Sequence, residues 1–317
     1  MTSWRAMALV LGRPLCQGDG MELWIPITLA AAFVQNIRFM LQKGLKRRLS
    51  TLGVTQARFI YGAPLAALTL WILLSVTDRP LPGLTPWFFG FAIWGGLAQI
   101  VATAMLIRLF GMANFATGMT LSKTEVVSTV ILSAVVLGEM VPPLALFAIL
   151  LTLAGVLVLS SPDGVRPLLR VGLGPAAVLG IGSGVVFSMA SIGYRGAALA
   201  LEGGTFLERG ATTLAVVTAF QAIVLGLWMA WREPGEMGRV LAAWPVAGWV
   251  GLTSMLGSLG WFSAFALVNA SYVKAVGQVE IVFSLLASIF FFRERVSLRD
   301  MAGMALVTLG IVGLVLV

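Results

Sequence analysis

Apolar runs long enough to cross a bilayer follow one another through this chain with almost no polar sequence between them. A hydrocarbon core of about 30 Å takes about 20 helical residues. Ten runs of that order lie near 24–42, 54–75, 86–109, 114–137, 142–160, 172–198, 211–231, 241–267, 270–292 and 298–317. The connections "DRPLPG", "GEMVPP", "SPDGVRP" and "REPGEMGR" leave no room for a soluble domain, and the longest, 199–210, reads "LALEGGTFLERG". Charged residues are 11% of the chain and mean hydropathy is +0.98, where soluble domains carry about 25% charge. The expected fold class is all-α, a polytopic membrane protein of ten transmembrane helices. Residues 1–21 read as a tail outside the first span, either disordered or preceding a true start at Met21.

Excluded chemistry narrows the reading further. The net charge is +8, but Lys and Arg gather in short loops, where they set topology and meet lipid headgroups, so no nucleic-acid partner is expected. A single cysteine, Cys16, rules out an internal disulfide and a thiolate cluster. Histidine is absent, which removes imidazole as ligand, base or proton relay. The four aspartates lie outside the spans, so the clustered Asp, His or Cys of a membrane-embedded enzyme is missing. No cofactor and no metal are expected.

The chain repeats itself. An offset of 155 residues, without a gap, pairs Trp94 with Trp249, Gly96 with Gly251, Asn114 with Asn269 and Gly155 with Gly310. It also pairs Glu125 with Glu280 and Glu139 with Glu294, in a protein that holds only nine glutamates. Spans 3–5 therefore recur as 8–10 and, by extension, residues 22–160 as residues 161–317, although spans 1–2 show no clean register. Five spans is an odd number, so the second copy enters the membrane from the opposite side. Inverted repeats of this kind build the two interconverting halves of many secondary transporters.

Charges inside the spans are costly, about 2.5–3.5 kcal/mol each at the bilayer centre. Glu125 and Glu280 lie at the midpoints of spans 4 and 9. Ser122, Glu125, Thr129 and Ser133 form one helical stripe, and Gly277, Glu280, Ser284 and Ser288 its repeat. Tight helix packing accounts for small residues on such a face; an ionisable group at its centre points instead to a substrate or a proton. Lys123 projects about 160° away from Glu125 around the helix, so it needs a partner on another helix or an anionic substrate. Gln35, Arg38 and Gln42 share a face of span 1, Ser188, Ser191 and Arg195 share one of span 6, and Lys274 and Gln278 lie in span 9. Arg38, Arg58, Lys274 and Arg195 stand near helix ends, where snorkelling to the interface is the expectation. Glu139 and Glu294 fall in tight turns and read as helix termination and capping. Trp261, in "GSLGWFSAF", is placed at a cavity wall. The candidate substrate- or proton-binding set is thus Glu125, Glu280, Lys123, Arg38, Gln35, Lys274, Gln278, Ser284, Thr129 and Trp261.

With "TEVVSTVILSAVVLGE" ending at Glu139, "VEIVFSLLASIFFFRE" ending at Glu294, and Gly155 and Gly310 in the final spans, the chain resembles the EamA-type transporters of the drug/metabolite transporter superfamily. Val126 and Ile281 stand where that pattern usually has proline, so spans 4 and 9 are expected to be less kinked. The resemblance implies a cytoplasmic-membrane carrier of small metabolites, often amino acids, usually exporting by alternating access, with both termini in the cytoplasm. Charge predicts otherwise: the loops on the face opposite the termini, "KGLKRRL" included, carry most of the Lys and Arg, which puts the termini outside. The expected partners are a small-molecule substrate, the lipid bilayer and protons, in a monomer or homodimer. A lipid flippase or scramblase and a structural membrane protein stand as the alternatives.

Overall fold

The computed structural model describes residues 23–109, 112, 121–160, 174–283 and 298–316. Among these, helices are connected by short turns, and the only extended pairing is an isolated bridge between Gly83 and Glu202. In chain order the helices are α1 (Trp24–Leu45), α2 (Thr51–Thr77), α3 (Pro86–Leu109), α4 (Glu125–Leu132, continued by a π-helical turn Ser133–Leu137), α5 (Pro143–Ser160), α6 (Pro175–Ala200), α7 (Phe206–Arg232), a short α8 (Glu236–Ala242), α9 (Trp244–Leu267), α10 (Ala270–Gly277) and α11 (Leu298–Val315). Six of them, α1, α2, α3, α6, α7 and α9, are long and apolar enough to span a bilayer; Glu125–Leu137, Pro143–Leu159 and Met301–Val315 are shorter apolar helices. This is a multi-pass helical membrane protein. "REPGEMGR", read as a bare loop, contains the start of α8, and α7 begins inside the segment read as the longest loop.

Local chemistry places the ends. Prolines open α3, α5 and α6, where a missing N–H costs nothing. Ser50 caps α2 by accepting from Gly53 N (2.9 Å), and Thr205 with Glu208 forms a reciprocal capping box at α7. Gly138, at φ +70°, ends the π-helical turn in a backbone region that side chains disfavour.

Packing obeys the repeat. α3 lies on α6, and its counterpart α9 lies on α1; α4 lies on α6, and α10 on α1; α2 pairs with α7 and α5 with α11. Every one of these contacts joins one half to the other. The last pair shows the symmetry in atomic detail. A Cβ on Gly155 would meet Val307 N at 2.7 Å and Gly303 O at 2.8 Å, while one on Gly310 would meet Thr152 N at 2.6 Å and Ala148 O at 2.8 Å. Thr152 and Ala148 are the repeat partners of Val307 and Gly303, so α5 and α11 cross glycine against backbone on both sides. Close approach through small residues is how helices associate where lipid removes the hydrophobic driving force.

Spans 4 and 9 are broken rather than straight. The backbone turns at Lys123–Thr124, just before α4, and at Gln278, just after α10. Val126 N donates to Lys123 O at 3.2 Å, and Ile281 N donates to Gln278 O at 3.1 Å. These are the same i→i−3 bond in the two copies, a local tightening of the helix. The tightened turn occurs with Val126 and Ile281 where the family pattern usually has proline.

Candidate functional site

The two breaks face each other across the middle of the bundle, and each glutamate follows its break by two residues or fewer. Side chains cross from one half to the other there. Lys123, from the first half, is ion-paired and hydrogen-bonded to Glu280 of the second. Lys274, from the second half, lies 2.6 Å from Glu125 Oε1 of the first. The lysines do not occupy equivalent positions: the repeat partner of Lys123 is Gln278, and that of Lys274 is Met119. The glutamates repeat, and their partners are exchanged.

The environments differ in detail. Glu280 also accepts from Gln35 Nε2 at 3.0 Å, and its backbone carbonyl accepts from Asn36 Nδ2 at 2.9 Å. Glu125 Oε1 has the Lys274 ammonium within ion-pair distance but off the direction a hydrogen bond needs, so their attraction is Coulombic. Lys274 sits at the same time 4.8 Å from the ring centroid of Trp261, a cation–π contact. Gly277 makes room for it, since a Cβ there would run into the Trp261 indole.

Between these pairs lies a cavity lined by charged and aromatic side chains. It brings together seven of the ten candidate residues: Gln35, Arg38, Lys123, Glu125, Trp261, Lys274 and Glu280. Thr129 does not join them, because it is fully buried and its hydroxyl donates to Glu125 O at 2.7 Å within its own helix. Gln278 stays off the lining and donates to Lys274 O at 3.2 Å. Ser284 lies outside the described residues, as do Ser288, Asn114 and Glu294.

Snorkelling fails for all four cations to which it was assigned. Arg38, Arg58 and Arg195 are 2%, 4% and 7% exposed, and Lys274 points inward. Arg38 Nη2 donates to Gln35 Oε1 at 3.1 Å, and that amide in turn donates to Glu280. Arg58 is the residue the sequence reading left out of its set. Its two terminal nitrogens donate to Thr103 Oγ1 and Ser258 Oγ, both at 3.3 Å. Those hydroxyls are 155 residues apart, so Arg58 takes one from each copy and sits where the halves meet. The matched hydroxyls were visible in the sequence, but hydroxyls are common in apolar helices and the pair carried no weight. Tyr194, stacked on Phe262 with centroids 4.2 Å apart, completes the wall.

Polar latches tie the halves at both ends of the bundle. At one end Glu139 Oε1 accepts from Arg195 Nη2 (2.6 Å) and Nε (3.0 Å), and Arg195 Nη1 donates to the carbonyl of Phe265 (2.7 Å) near the end of α9. Ser133 Oγ lies 3.2 Å from Glu139 Oε2 and 3.1 Å from Asn269 Oδ1. Glu139 is thus an interhelical ion-pair partner and not the cap expected of it. At the same end the Gly83–Glu202 bridge joins the α2–α3 and α6–α7 turns, and Thr85 donates to Ala200 O at 2.9 Å. At the other end Ser50 N donates to Glu236 Oε1 at 2.6 Å, and Arg239, paired with Glu236 at 2.7 Å, reaches the carbonyl of Arg48.

Comparison with known proteins agrees with this architecture. One solved crystal structure of a protein superposes with a TM-score of 0.64 at 18% identity, covering 92% of this chain and 96% of its own length; at that identity the likeness concerns the fold alone. No curated protein sequence matches the chain. A family model described as the EamA-like transporter family matches it twice, over residues 22–161 and 174–316. With that match running through both halves that meet at the crossed ion pairs, the chain belongs to the EamA-like transporter family, membrane proteins that carry small molecules.

Proposed function

We propose that this protein is a secondary active transporter that moves small carboxylate-bearing metabolites, amino acids and related compounds among them, outward across the cytoplasmic membrane by alternating access. The observation that carries this reading is the exchanged pairing Lys123–Glu280 and Lys274–Glu125 around a central cavity. Each pair is a bond between the two inverted halves, so neither half can rock against the other without loosening one. A substrate carboxylate competes with a glutamate for its lysine, and displaces it only when bound. Substrate binding is in this way linked to the motion, which is what differential affinity for two states requires. Proton coupling, in a chain without histidine, runs through the freed Glu125 or Glu280.

The test is purified protein in liposomes, offered a panel of amino acids and organic anions with and without an imposed pH gradient. Uptake of at least one carboxylate, lost in Glu125→Gln and Glu280→Gln variants that still insert and purify, is the expected result. Undiminished transport by both variants would remove the mechanism, and acceleration by an acid-outside or acid-inside gradient decides the coupling.

A further inference from the structure

Among the described residues, the cavity is lined by more positive charge than its carboxylates can answer: four cationic side chains, Arg38, Arg58, Lys123 and Lys274, stand against the two carboxylates of Glu125 and Glu280. Both carboxylates are held by the lysines. Neither guanidinium has a carboxylate within ion-pair distance among the described residues: Arg38 is held by an amide and Arg58 by two hydroxyls. Both arginines are more than nine-tenths buried, in a setting where uncompensated charge is unfavourable.

Unmet hydrogen bonding points the same way. Three buried atoms of the described lining residues have no hydrogen-bond partner: two donors, Arg38 Nε and Trp261 Nε1, and one acceptor, Glu125 Oε1, which the Lys274 ammonium already answers by charge. The donors left over call for a ligand that brings acceptors. Arginine also selects for planar or multi-oxygen anions, since its fork offers parallel N–H groups. The lining also includes Phe187, Tyr194, Phe262 and Phe265, a surface for an apolar or flat body.

Resting on the transporter reading of this cavity, the geometry points to a cargo that is a small divalent organic anion, a dicarboxylate or a phosphate monoester, with an apolar portion. Arg38 and Arg58 take its oxygens, Trp261 Nε1 donates to it, and the aromatic wall takes its carbon skeleton. A zwitterionic amino acid brings no net charge against the two guanidinium groups, and a simple monoanion offsets only one of them.

The experiment uses purified full-length protein in detergent, with five probes: phthalate and phenyl phosphate as divalent anions, benzoate as the monoanion, phenylalanine as the zwitterion, and inorganic sulfate. Binding is read by titration and by the shift in melting temperature at matched ionic strength. At least one aromatic dianion is expected to bind about tenfold or more tighter than benzoate, phenylalanine and sulfate. Which of the two binds separates a carboxylate from a phosphate cargo. In Arg38→Gln and Arg58→Gln the ratio of dianion to benzoate affinity collapses toward unity, whereas Arg58→Lys keeps most of it. A general loss of folding would lower both affinities and leave the ratio intact. Benzoate or phenylalanine binding as tightly as the dianions overturns the inference and leaves the transporter reading in place. Sulfate binding as tightly as phenyl phosphate also overturns it, because the site then answers to charge without an organic cargo. Labelled dianion that binds yet is not moved by proteoliposomes would overturn the transporter reading and leave the ligand class standing.

Discussion

Glu125 and Glu280 are the same residue of the same motif in two copies of one fold, yet they are held differently. Glu280 is gripped by Lys123 and Gln35 together and is almost fully buried. Glu125 has a single cation beside it, and that cation is shared with the Trp261 ring. The two repeats thus share the tightened turn at Val126 and Ile281 without sharing the side-chain environment. The lesson is that one half presents a locked carboxylate and the other a looser one. In the alternating-access cycle proposed above, these are two unequal states for the halves to exchange.

The sharpest way to break that comparison is Glu280→Gln. It strands the Lys123 ammonium in a site that is 7% exposed, a loss of about 3 kcal/mol when one partner of a buried pair is removed, with transport abolished. Replacing both partners, Lys123→Met with Glu280→Met, should recover most of the stability but none of the transport, since a buried pair and its apolar substitutes are often close in free energy. Thermal melting in detergent alongside liposome uptake reads both; a double variant as unstable as the single one would sink the argument.

Arg195→Met comes next, at about 2 kcal/mol for a charged donor lost from a carboxylate and a carbonyl. At the 155-residue offset its position falls on Met40, which is 73% exposed, and the repeat partner of Glu139, Glu294, lies outside the described residues. Cysteines placed at that end of the bundle should label faster in the variant, and unchanged labelling would show that the latch does not hold that end shut.

Glu125→Gln should cost less, about 1 kcal/mol, because Lys274 keeps its aromatic neighbour. Stability then falls in the order Glu280→Gln below Glu125→Gln, and the reverse order would show that the two sites were ranked wrongly. Smallest of all should be proline at Val126 or Ile281. Each gives up one hydrogen bond at an already tightened turn, about 1 kcal/mol or less, whereas proline at Val130 inside α4 should cost about 3 kcal/mol. Equal, mild effects at Val126 and Ile281 would sharpen the view that the backbone repeats even where the contacts do not.

The repeat was legible because glutamate is scarce and two pairs fell on one offset. The crossed pairing was not, since Lys123 and Lys274 occupy unrelated places in their copies and only the rotation of one helix against another decides which cation meets which carboxylate. That rotation is set by packing details such as Gly277 beneath Trp261, which no pattern of spacing expresses. Arg38 and Arg58 misled for a physical reason too: nearness to a helix end makes snorkelling available, but it does not make it happen when hydroxyls and an amide wait inside. The number of full-length spans was obscured by the breaks at Lys123–Thr124 and Gln278, which divide two apolar stretches that the sequence presents as continuous.

Arg58 between Thr103 and Ser258 has a consequence for any cycle in which the copies trade roles. Because its two acceptors are images of each other, exchanging them returns the guanidinium to an equivalent setting. It can stay tethered while the lysines change allegiance around it. Under the proposed carrier cycle, an anion held there passes from one side of the membrane to the other by movement of the walls, with the anchoring cation left in place.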